Sequence, residues 1–170
     1  MGSAEEAASS KIGERSRSLA LEIARRDLIL FTGATTGLIY SIGKAVRDAG
    51  GFHIGISPGA NEREHVEHYH LPTDACDVIV YTGFGLKGRN VVLVRSCDVV
   101  LFAAGSIGSL NEFTIAYDEG KIIGCLSGTG GVADEVRRIA ESLRKPTHSR
   151  IVYDEDPQLL INRCLQLQVV

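Results

Sequence analysis

Short strand-like runs, each followed by a turn and then by helical spacing, constrain this chain more than any other feature. The runs are 28–31, 52–56, 78–81, 99–102 and 122–126, with a shorter one at 151–152. Leu28-Ile-Leu-Phe31 is apolar throughout, the mark of a strand buried on both faces. Helical patterns fall between the runs. Leu19, Leu21, Ile23 and Ala24 suggest a helix over 11–26. A second follows residue 37 and stops at Gly50-Gly51. Further helices are predicted over 90–96, 110–119 and 132–143, the last from Val136, Ile139, Ala140 and Leu143. A closing helix is predicted over 156–165, with Asp156 as N-cap and Pro157 in its first turn. Strands alternating with helices imply parallel βαβ units with right-handed crossovers.

A chain of 170 residues supports one domain with a real core. Residues 1–10 are small and polar and are expected to be a flexible lead segment, leaving 11–170 as the domain. The net charge of −3 argues against a nucleic-acid partner, which calls for a basic stripe. No apolar run approaches the roughly 20 residues that span a bilayer. Cys76, Cys97, Cys125 and Cys164 lack metal or disulfide spacing, so a reducing cytoplasm is expected and no metal.

In a parallel sheet, ligands bind beyond the carboxyl ends of the strands. Four glycine-bearing loops fall there: 32–37, 82–88, 104–109 and 127–131. Glycine lets backbone N–H groups approach a ligand, and a helix N-terminus adds partial positive charge. The expected phosphate contacts are Gly33, Thr35, Thr36 and Gly37, then Gly105, Ser106, Ile107, Gly108 and Ser109, then Gly128, Thr129 and Gly130. A dehydrogenase is disfavoured. Tyr40 and Lys44 form a Tyr-x-x-x-Lys, but inside the first helix after the glycine loop, and no acid for a ribose follows the second strand.

Two charged residues stand out. Arg89 follows Gly85-Leu-Lys-Gly88 and is expected to open a helix. A cation there opposes the helix dipole, so an anion clamp explains it better. Glu112 is expected in the first turn of a helix, either complementing the dipole or facing the ligand. His65, His68 and His70 lie among Glu62, Glu64 and Glu67, which reads as a solvated surface helix or lid rather than a metal site.

With these residues placed, the sequence resembles the lonely-guy family, once classed as lysine decarboxylases, and the related molybdenum-cofactor carriers. The family motif Pro-Gly-Gly-x-Gly-Thr-x-x-Glu reads here as 104–112, from Ala104 to Glu112. Its Arg-Lys pair reads Arg89-Asn90, and its early glycine loop reads Thr32-Gly-Ala-Thr-Thr-Gly-Leu-Ile39. The resemblance implies a Rossmann-like α/β three-layer sandwich with a mostly parallel sheet, here lacking the family's first strand. It implies a nucleoside 5′-monophosphate phosphoribohydrolase, with Arg89 and Glu112 as the catalytic pair acting on an oxocarbenium-like sugar. The alternative is a non-catalytic carrier or sensor of a nucleotide or molybdenum-cofactor-like ligand. A third reading is an interaction subunit without a ligand. No cofactor is required for hydrolysis, and a homodimer or larger assembly is implied. Ala104, Ser106, Ser109 and Asn90 depart from the motif, and side chains at Ala34 and Ser106 are expected to narrow or reshape the phosphate cradle.

Overall fold

The computed structural model describes residues 11–143 and 145–169. Expectations for 1–10, including any strand before Lys11, lie outside the described residues. The fold is Rossmann-like α/β, with helices between six strands that pair in parallel wherever they pair. All six predicted strands are present. The chain divides into two compact units, the first ending at Leu93 and the second beginning at Val94.

In the first unit, α1 (Lys11–Arg25) precedes β1 (Ile29–Thr32), α2 (Leu38–Asp48), β2 (Phe52–Ser57) and β3 (Val78–Tyr81). The strands form a parallel sheet in the order β1-β2-β3. The helix stop is where glycine spacing puts it: Gly50 takes φ 81, and the amides of Gly50 and Gly51 donate to Arg47 O and Val46 O. A side chain at Gly51 would meet Val46 and Ala24, so its absence lets α1 and α2 close on one another. Register puts Ile29, Phe52, Val78 and Val80 on one face of this sheet. Those four are 43–56% exposed. The expectation that run 28–31 is buried on both faces is therefore corrected. The α2 helix packs against the opposite face, at His53, and the face carrying Ile29 stays half open.

Helix α3 (Gly85–Arg95) carries the chain from the first unit into the second. It starts earlier than predicted. Gly85 to Gly88 form its first turn rather than a loop, and Arg89 sits in its second turn. Arg89 therefore does not oppose the dipole at the helix start, and its packing decides its role.

The second unit continues with β4 (Val99–Ala103), α4 (Ile107–Asp118), β5 (Ile122–Leu126), α5 (Gly131–Ser142), β6 (Arg150–Asp154) and α6 (Pro157–Gln166). Its parallel sheet runs β4-β5-β6. Central β5 is buried along its whole length. Ile123 and Cys125 join Phe102, Phe113, Ala116, Ala133 and Val136 on one side. Ile122 and Leu126 join Val152, Leu160 and Cys164 on the other. That alternation gives helix, sheet and helix layers in this unit. Asp156 caps α6 as predicted, its carboxylate accepting from Leu159 N at 2.9 Å. Among the described residues no helix is long and apolar enough to cross a membrane.

Gly124 of β5 sits where a Cβ would lie 2.6 Å from Leu101 and 2.8 Å from Cys164. Gly124→Val should lower stability by about 2 kcal/mol through overpacking. Urea denaturation should show a lower midpoint with an unchanged m-value.

Candidate functional site

The first loop, 32–37, is held by a buried hydrogen-bonded chain. His53 is 1% exposed. Its Nδ1 lies 2.5 Å from Ala75 O, which can only accept, so Nδ1 carries the proton. Nε2 is then the acceptor for the Thr32 hydroxyl at 2.8 Å. Thr32 Oγ1 in turn accepts from the Ala34 amide at 3.2 Å. Ala34 itself takes φ 51, a left-handed conformation that this amide contact helps to hold. Burial lowers the His53 pKa, which favours the neutral ring that this donor order needs.

The end of β2 repeats the device. Ser57 Oγ accepts from the Gly59 amide at 3.0 Å and meets His65 Nδ1 at 2.8 Å. His65 Nε2 lies 3.1 Å from Pro72 O, so it is the protonated nitrogen. His65 is fully buried, which corrects the expectation of a solvated histidine helix, whereas His68 and His70 are exposed. Glu64–His68 forms one π-helical turn. Among the described residues no three His, Cys, Asp or Glu side chains are grouped to hold a metal ion. Spacing alone does not reveal either histidine's role. The only sequence signal is a hydroxyl residue ending each strand, Thr32 before Gly33 and Ser57 before Pro58.

Arg89 is brought against this loop. Its side chain is buried, and an ideal Cβ on Gly33 would lie 2.3 Å from the guanidinium carbon. Only a glycine allows that approach. Nη1 of Arg89 also donates to Asn90 Oδ1, and Asn90 is itself buried. Beyond Gly37, with φ 73, α2 starts with no side-chain cap. The loop therefore presents an uncapped helix end beside a buried cation, a combination suited to an anion. Thr35 is half-buried and Thr36 exposed.

An open cleft of about 490 Å³ borders the same loop, lined by Thr36, Gly37, Tyr40, Val66, His70, Leu71 and Pro72. Tyr40 is oriented by its hydroxyl, which donates to Asp74 at 2.9 Å, and that carboxylate raises the phenol's pKa. A second depression, of about 390 Å³, is lined by Asn61, Arg63, Glu64, Glu67 and His68. Its two carboxylates make it a poor seat for a phosphate.

The second unit holds the other predicted residues. Ala104 and Gly105 take φ 53 and 104, and Ile107 to Ser109 form the first turn of α4 rather than a loop. Glu112 consequently lies in the second turn and not the first, which removes the simple dipole explanation for it. Ser106 precedes α4 without capping it. Gly105 makes room for Ser109, whose Oγ would be 2.6 Å from a Cβ there. Loop 127–131 locks onto loop 104–106. Val132 N and Ala133 N donate to Gly105 O and Ala104 O, and Thr129 Oγ1 accepts from Ala104 N at 2.9 Å. The Gly128 and Gly130 amides each donate to the Asp134 carboxylate at 2.7 Å. An anion at Gly128 to Gly130 would have to displace that carboxylate. Of the expected catalytic pair, Arg89 belongs to the first unit and Glu112 to the second.

Residues 1–161 match the sequence profile of the SLOG cluster4 family. The chain belongs to that family. A protein of Archaeoglobus fulgidus is 29% identical over 104 residues, 61% of this chain and 63% of that protein. The match thus spans less than two thirds of that relative's length. Among solved structures, the SLOG chain is similar to TM1055, a structural-genomics target, at 28% identity and a TM-score of 0.77, over 94% of this chain and 92% of that one. The molybdenum cofactor carrier protein of Chlamydomonas reinhardtii shares the fold at 22% identity and a TM-score of 0.66, over 92% of this chain and 88% of that one.

The His53 pKa is lowered on folding, so the unfolded chain binds more protons and stability falls as pH drops below the ordinary histidine value of about 6.5. Thermal melts between pH 8 and 5 should show that decline. His53→Gln should flatten it while lowering stability at pH 8.

Proposed function

We propose that this chain binds a small phosphorylated ligand, with the phosphate on loop 32–37 beside Arg89. The observation that carries the reading is the buried Arg89 guanidinium packed on side-chain-free Gly33, next to the uncapped start of α2. A permanent cation with forked donors suits a phosphate better than a point charge would. Thr35, Thr36 and Gly37 supply the remaining donors of the cradle. The ligand class is a nucleoside 5′-monophosphate or a molybdenum-cofactor-like pterin phosphate. The latter is supported by the fold shared with the Chlamydomonas carrier, and in that case it is cargo rather than a resident cofactor.

A phosphoribohydrolase reading is supported by the motif 104–112. There α4 starts at Ile107 without a side-chain cap, so amides from Ile107 to Ser109 face an anion-binding position. It requires Arg89 and Glu112 to act on one ligand, Glu112 stabilising an oxocarbenium-like sugar or activating water. In this proposal 11–170 works as one binding domain, self-associates as a homodimer or larger assembly, and resides in a reducing cytoplasm. Cys76, Cys97, Cys125 and Cys164 form no disulfide with one another.

Incubation with AMP separates the readings. Hydrolysis predicts release of free adenine by the wild type and at least about a hundredfold slower release by Glu112→Gln, with the variant's melting temperature preserved. Carriage predicts thermal stabilisation by phosphorylated ligands with no adenine released. If AMP and a pterin phosphate give neither thermal stabilisation nor adenine release, the proposal is overturned.

A further inference from the structure

The cleft beside loop 32–37 has a chemistry that the phosphate cradle does not use. One wall comes from α2 and its loop, through Thr36, Gly37 and Tyr40. The other comes from the connection between β2 and β3, through Val66, His70, Leu71 and Pro72. Long connections of this kind are usually functional. Val66 is 44% exposed, an apolar side chain presented to the opening rather than to a core. The far wall is also held in place. His65 bridges Ser57, at the end of β2, to the carbonyl of Pro72, so the segment is pinned at both ends. His70 takes φ 52 beside it, and Tyr40 is fixed by Asp74.

We infer that this cleft is the ring subsite of the same ligand, taking a planar heteroaromatic group such as a purine or a pterin. The inference rests on the phosphate reading above. The lining selects a ring over a sugar or an aliphatic chain. The walls combine an aromatic ring with three apolar side chains, which cover the two faces of a flat group. His70 and Thr36 add hydrogen-bonding groups for the polar edge of a heterocycle. The cleft also continues directly into Thr36 and Gly37 of the phosphate loop, so one molecule can span both. The walls carry no carboxylate to repel the attached phosphate.

Calorimetric titration tests this with AMP, GMP, 6-hydroxymethylpterin phosphate and ribose 5-phosphate. At least one of the three ring ligands should bind about tenfold or more tighter than ribose 5-phosphate. Val66→Asn should erase that advantage and leave ribose 5-phosphate within about twofold of its wild-type affinity, while Val66→Ile retains it. Equal binding of ring ligands and ribose 5-phosphate would overturn the ring subsite alone. So would a Val66→Asn loss shared equally by both. Binding by none of the four would overturn the phosphate reading, and the ring subsite would fall with it.

Discussion

A guanidinium resting on a residue without a side chain organises the first unit's site. Arg89 is removed from bulk water, and Gly33 is the surface it lies on. Burying a charge is unfavourable unless hydrogen bonds or an opposite charge compensate it. Asn90 supplies one such bond from within the chain. An arriving phosphate would add both charge and acceptors, so the desolvation already incurred on folding strengthens the attraction when the ligand docks. The same contact makes Gly33 a requirement of packing and not merely of turn geometry. Its place could be taken by another residue only if the guanidinium moved.

The two histidine relays fix the loops at these strand ends. In each, a hydroxyl closing a strand accepts the amide two residues on and donates to a buried imidazole anchored on a distant carbonyl. Ala75 ties His53 to the segment before β3, and Pro72 ties His65 to the far end of the β2–β3 connection. A loop fixed in this way loses little conformational entropy on binding. The second unit reaches rigidity by different means, through main-chain bonds between its two glycine loops and a carboxylate seated on the Gly128 and Gly130 amides.

The parallel strands were readable because each is a short run bounded by glycine or a polar turn, and Asp156-Pro157 is an unambiguous helix start. Helix starts at Gly85 and Ile107 were misplaced toward the C-terminus, because glycines there suggest loops while tertiary packing extends the helix through them. The Arg89–Gly33 contact joins residues far apart in sequence, so the glycine loop and the arginine were each visible but their meeting was not. The histidine relays were invisible for the same reason. Thr32 and His53 are 21 residues apart, and nothing in local spacing marks them as partners. The open face at Ile29 is a tertiary fact as well, since an apolar run cannot say which helix will cover it.

Amide-resolved NMR during titration with ribose 5-phosphate addresses the central claim most directly. Saturable shifts should concentrate at 33–38 in the wild type and be lost in a folded Gly33→Ala variant whose Cβ displaces Arg89. Shifts confined to other loops, or a Gly33→Ala response identical to the wild type, would contradict it.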